Sequence, residues 1–93
     1  MMNLNRCLPN LENIGKNCHI QRIKNGLSTP DVKDICGVDP SALRKLERGL
    51  MRNPSIATLL LLSQAYNCTL ADLVNHVPTE DELKALAHID VGG

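Results

Sequence analysis

Apolar residues recur along this chain at three- and four-residue spacings, in short runs broken by Gly, Pro, Asn and Ser, and do not alternate with the period of a strand. The pattern predicts six helices. A first runs from about Asn10 to Lys24 and stops at Asn25-Gly26. Ser28 caps a second from about Thr29 to Cys36, with Pro30 tolerated in the first turn. Asp39 is a good N-cap for a third that starts at Pro40 and ends near Arg48, where Gly49 accepts the left-handed C-cap conformation. Asn53-Pro54-Ser55 opens a fourth reaching about Tyr66, and Thr69 caps a short fifth ending near Val74. After Pro78, Thr79 and Glu82 form a capping box for a sixth helix to about Ile89.

These elements divide the chain into an N-terminal arm at 1–9 closed by Pro9, a helical domain at 10–77, and a C-terminal helix and tail at 78–93. Gly92-Gly93 reads as a frayed end. Val32, Cys36, Val38, Leu43 and Leu46 form a stripe locking the second helix to the third, while Leu59, Leu60, Leu62, Ala65, Leu70 and Leu73 supply the other wall of the core.

Composition narrows the class. With 93 residues, 43% of them apolar and Tyr66 the lone aromatic, the chain makes one small all-α domain with an aliphatic core. The longest apolar stretch, Ile56 to Leu62, is interrupted by Thr58 and falls far short of the roughly 20 residues of a membrane span. No signal-peptide pattern opens the chain, so a soluble, cytoplasmic protein is expected. Cys7, Cys18, Cys36 and Cys68 form no CxxC pair and read as reduced structural thiols. His19, His76 and His88 share no ligand spacing, and no nucleophile-base pair or phosphate loop is present. Neither an enzyme, nor a metal, nor a cofactor is expected.

The formal net charge is +0, which argues against indiscriminate nucleic-acid binding. Charge is nonetheless uneven. Arg44, Lys45, Arg48 and Arg52 stand against Asp39 and Glu47 in the middle of the chain, whereas Glu80, Asp81, Glu82 and Asp90 stand against Lys84 near its end.

The run from Ser28 to Ser55, STPDVKDICGVDPSALRKLERGLMRNPS, joins two short amphipathic helices at Gly37-Val38 and places small polar and basic residues on the outward face of the second. Together with Gly26-Leu27-Ser28, Leu46-Glu47-Arg48-Gly49, Thr58-Leu59-Leu60 and Leu70-Ala71-Asp72-Leu73, it resembles the lambda-repressor-like helix-turn-helix domains of the Xre and Cro type, over about two thirds of the chain from Ile14 to Val74. The resemblance implies a compact five-helix bundle, here with an extra C-terminal helix. It also implies a partner, double-stranded DNA, whose major groove receives the third helix.

On that footing Ser41 and Arg44 are the best base readers, Lys45 reaches a base or a phosphate, and Asp39 can accept from a cytosine amine as well as cap its helix. Pro40 stands where the family often carries a long polar reader, which removes one hydrogen bond. Thr29, Arg52, Asn53 and Ser55 are placed to hold phosphates at helix N-termini. The resemblance pairs Glu47 with a basic residue of the first helix. Ungapped alignment gives Arg22 and a shorter first helix gives Lys24; Arg22 is favoured because Ile14-Gly15 then also falls into place. Lys33 fills a slot where the family prefers a small residue, so its stem must turn to solvent or the helices must splay.

One such domain makes too few specific contacts for a selective site, which favours a homodimer. Leu83, Leu86 and Ala87 recur at helical spacing near Val74, Val77 and Ile89 and form a candidate dimerisation stripe, with folding back onto the same chain as the alternative. Surplus apolar residues at Ile20, Ile23, Ile35 and Leu61 suggest a protein partner. The expected function is therefore a sequence-specific, dimeric transcriptional repressor; the alternative is a protein-interaction adaptor or antitoxin-like subunit on the same fold.

Overall fold

The computed structural model describes residues 11–51 and 53–89, so the expectations placed on the arm at 1–9, on Asn10, on Arg52 and on 90–93 fall outside the described residues. Six helices follow one another: α1 Leu11–Lys24, α2 Thr29–Cys36, α3 Pro40–Glu47, α4 Ile56–Ala65, α5 Leu70–Val74 and α6 Glu80–Ile89. The order and almost every boundary follow the sequence pattern, because side-chain oxygens close the helix starts locally. Ser28 and Thr69 make reciprocal capping boxes with Asp31 and Asp72, and Ser55 accepts from the Thr58 N–H. Thr79 and Glu82 exchange the same two bonds at 2.9 and 3.2 Å. At the end of α2, Gly37 adopts φ 83° and donates its N–H to the Lys33 carbonyl, a left-handed turn that costs a residue without a β-carbon little. Lys33 itself is exposed, and α2 stays packed on α3.

The framework is α1, which lies against α3, α5 and α6, while α2 packs on α3 and α4. Cys18, Val32, Leu43, Leu62 and Leu73 are fully enclosed at its centre, with Ile14, Leu46, Leu59 and Tyr66 around them. A β-carbon on Gly15 would collide with the Leu46 carbonyl oxygen, so α1 and the end of α3 touch backbone to backbone. Two amides extend this frame. Asn17 Nδ2 donates to the carbonyls of Leu73 (2.9 Å) and His76 (2.7 Å), and Asn25 Nδ2 donates to the Tyr66 carbonyl at the end of α4 (3.0 Å). Burial pushes the Cys18 thiol up to about 12, which keeps it protonated at neutral pH.

Three expectations change. Leu60 is not part of the core wall but 45% exposed. The reason is that α4 is apolar on every side, so periodicity could not choose its inner face, which is Leu59, Leu62, Ser63 and Tyr66. Ile20 is buried and Ile23 half-buried, because α6 covers that side of α1; they are not a free partner surface. Finally, α3 ends at Glu47, with Arg48 as its C-cap. Among the described residues, no helix is long and apolar enough to cross a membrane, and no three His, Cys, Asp or Glu side chains converge as a metal site.

Candidate nucleic-acid interface

The candidate interface centres on α3, whose inner side is fixed by Leu43 and Leu46. Helical geometry then turns Ser41, Arg44 and Lys45 outward, and all three are exposed, as is Arg48 just past the end. Both acidic residues of this segment are committed elsewhere. Asp39 Oδ2 accepts from the N–H groups of Ser41 (3.0 Å) and Ala42 (3.2 Å), so its carboxylate serves as the N-cap. Glu47 turns inward, its side chain 6% exposed. Beyond the Asp39 cap, which is itself exposed, the outer face of the helix carries the hydroxyl of Ser41 and the cationic Arg44 and Lys45, although the whole chain has net charge +0.

Glu47 meets Arg22 in a fork: Arg22 Nε donates to Oε2 at 2.8 Å and Nη2 to Oε1 at 2.9 Å, while Nη1 donates to the Leu27 carbonyl at 2.9 Å. His19 Nε2 stands 3.7 Å from Glu47 Oε1. Lys24 instead approaches Glu82 at 3.5 Å. Through one guanidinium, α1 therefore holds both α3 and the segment leading into α2, which sets the angle at which α3 is presented.

Beside this pair lies a polar cleft of about 210 Å³ whose walls include Ser28 and Thr29 of the α2 start, Arg44 and Arg48, with His19, Arg22 and Glu47 at its back. Arg44 Nη1 donates to Thr29 Oγ1 at 3.3 Å, joining a predicted base reader to a predicted phosphate contact. Arg48, His19 and Ser28 were not singled out as site residues by the sequence. The signal was present for Arg48, which lies one turn beyond Arg44 on the same face.

The helix N-termini offer less to an anion than their sequence suggests. Pro30 has no N–H and Ser28 takes the Asp31 N–H, while Pro40 has none and Asp39 takes those of Ser41 and Ala42. An anion at α2 is therefore met chiefly by the Thr29 hydroxyl and the guanidinium groups. Pro40 is half-buried at the first position of α3. Asn53 and Ser55 are exposed at the start of α4, where the Ser55 hydroxyl is shared with the Thr58 N–H (3.1 Å) and hydroxyl (2.9 Å).

The predicted dimerisation stripe divides. Leu86 is half-buried and lines an apolar cleft with Ile20, Ile23 and Ala85, whereas Leu83, at 39% exposure, and Ala87 face outward. The reason is that α6 packs on α1 along the Glu82, Ala85 and Leu86 side. Leu61 and Ile35 remain exposed at 40% and 55%.

A helix-turn-helix family model matches residues 19–73. Among solved structures, the chain is similar to a hypothetical transcription factor, NHTF, from Neisseria, with a TM-score of 0.63 and 22% sequence identity over 84% of this chain and 91% of that one. Comparison with curated proteins gave no match.

Proposed function

The chain belongs to the lambda-repressor-like helix-turn-helix family, and from that premise we propose that it is a sequence-specific, homodimeric transcriptional repressor that reads the DNA major groove with α3 in the cytoplasm. One observation carries this reading: α3 presents Ser41, Arg44 and Lys45 side by side while Glu47 is turned inward to Arg22 and Asp39 is engaged as the N-cap. A neutral protein thereby acquires a cationic reading face, which suits phosphate-flanked base edges without general affinity for anions.

In this reading Ser41, Arg44 and Lys45 meet base edges, and Thr29 steadies Arg44 at the groove wall. Asp39 and Pro40 start the helix and approach the bases only through their position. The cleft lined by Thr29, Arg44 and Arg48 faces the backbone, and Arg52, Asn53 and Ser55 serve the next phosphates. These contacts fix register rather than sequence.

Selection of bound sequences from a random DNA pool tests the function directly, and recovery of a two-fold symmetric motif is expected. Affinity must fall steeply with salt because groove binding releases counterions. Retention of no DNA at low salt would overturn the reading. Arg44→Ala is expected to cost about 1–3 kcal/mol at one position of each half-site, and equal weakening on all sequences would make it a phosphate contact instead.

A further inference from the structure

The sequence IATLLLLSQA of α4 contains no charged residue, and only one side of it enters the core. Leu59, Leu62 and Ser63 point inward; Ile56, Ala57, Leu60, Leu61 and Gln64 are all exposed, with Ile56 at 60%, Leu60 at 45% and Leu61 at 40%. A helix apolar all round is normally enclosed all round. Here half of its circumference meets solvent.

The exposed side has the shape of a helix-packing surface. Ile56, Leu60 and Gln64 form one ridge at four-residue spacing and Ala57 and Leu61 a second, with the small Ala57 leaving a groove between them. At its edge, a cleft of about 260 Å³ opens between Ala42 and Leu46 of α3, Met51 of the connection, and Thr58 and Leu61 of α4. Ridge, groove and socket lie next to one another.

We propose that this face of α4 is where a second copy of the chain docks, α4 against α4 about a two-fold axis, with an apolar side chain of each copy entering the cleft beside Leu61 of the other. The proposal rests on the homodimer reading and supplies its interface. Charge selects the occupant. The exposed side of α4 carries no ionisable group, and the single one on the cleft wall, Asp39, is held by the N–H groups of Ser41 and Ala42, so a second copy meets α4 without charge repulsion, whereas a basic or acidic partner would find nothing on α4 to pair with. Ile56, Leu60 and Leu61, at 60%, 45% and 40% exposure, supply the apolar centre that an interface of standard size, about 800 Å² per partner, needs. The competing surface on α6 is poorer. There Leu83 and Ala87 stand among the exposed charges of Glu80, Asp81 and Lys84, and Leu86 is engaged with α1.

The placement has a functional consequence. Because the cleft is shared by α3 and α4, contact between copies at this face sets the two reading helices directly relative to each other.

Analytical ultracentrifugation of the full chain and three variants tests this. The wild-type chain and Leu83→Glu are expected to sediment as dimers at tens of micromolar, whereas Leu60→Glu is expected to dimerise at least about tenfold more weakly while keeping its helical circular dichroism. Gln64→Glu, at an exposed site, must weaken association in the same direction if Leu60→Glu fails to fold, since it sets two like charges across the axis. Dimers that survive both α4 substitutions but are lost in Leu83→Glu would overturn the α4 interface and leave the homodimer standing. A wild-type chain that stays monomeric, and binds a symmetric DNA site as one copy, would remove both.

Discussion

Two helices lean on α1, and they are held in opposite ways. At the α3 junction the backbones touch at Gly15 and Leu46, and a buried Arg22–Glu47 fork closes the contact. At the α6 junction the surfaces leave a cleft of about 90 Å³ between Ile20, Ile23 and Leu86. Its polar ties are a capping carboxylate shared with His76 (2.8 Å) and an exposed Lys24 (3.5 Å). The first arrangement tolerates one geometry only. The second is a looser contact.

The comparison breaks most readily at Gly15. Gly15→Val should destabilise the fold by more than about 4 kcal/mol, because neither backbone can retreat from the added side chain. A denaturant titration within about 1 kcal/mol of wild type would show that the two helices can separate without loss.

Glu47→Ala comes next, at about 3 kcal/mol, since it takes from a largely buried guanidinium its carboxylate partner while Nη1 still donates to the Leu27 carbonyl. DNA binding should weaken with stability, because the same pair sets α3. An unchanged melting temperature would mean that the fork contributes as little as a surface pair.

The α6 side should give less. A chain ending at Val77 is expected to remain cooperatively folded, less stable by about 2 kcal/mol for the uncovering of Ile20 and Ile23. A chain that loses its helical signal would place α6 in the core after all.

How much of this contrast could be read in the sequence depends on the range of the interactions. The caps at Ser28, Asp39, Ser55, Thr69 and Thr79 were legible because each is closed within three residues of itself. The preference for Arg22 over Lys24 came from family register, not from periodicity. The inner face of α4 is not legible, since its four consecutive leucines and lack of any charged residue blur the phase, and the sequence pattern therefore puts Leu60 in the core. The covering of Ile20 by α6 and the reach of Asn17 to the carbonyls of Leu73 and His76 are tertiary and leave no local pattern.

The smallest effect sharpens the α6 end. Hydrogen bonds from the Thr79 N–H and the His76 ring hold the Glu82 carboxyl down to about 2 from an ordinary 4.5. A lowered value means the contribution is complete above pH 4.5 and fades as pH falls toward about 2. Amide protection factors at the start of α6 should therefore fall over that window before those of the rest of the domain, and Glu82→Gln should flatten the dependence. Protection that stays constant across the window would remove Glu82 as the tie.

Because Pro40 lacks an N–H, Asp39 occupies those of Ser41 and Ala42, and that of Leu43 is spent on the Asp39 carbonyl, the first turn of α3 offers a ligand no main-chain donor from Pro40 to Leu43. In the proposed reading, recognition along this turn then falls to the side chains. Grafting other residues at Ser41, Arg44 and Lys45 should then rewrite the preferred site while the melting temperature stays where it was, which makes this helix a recodable surface.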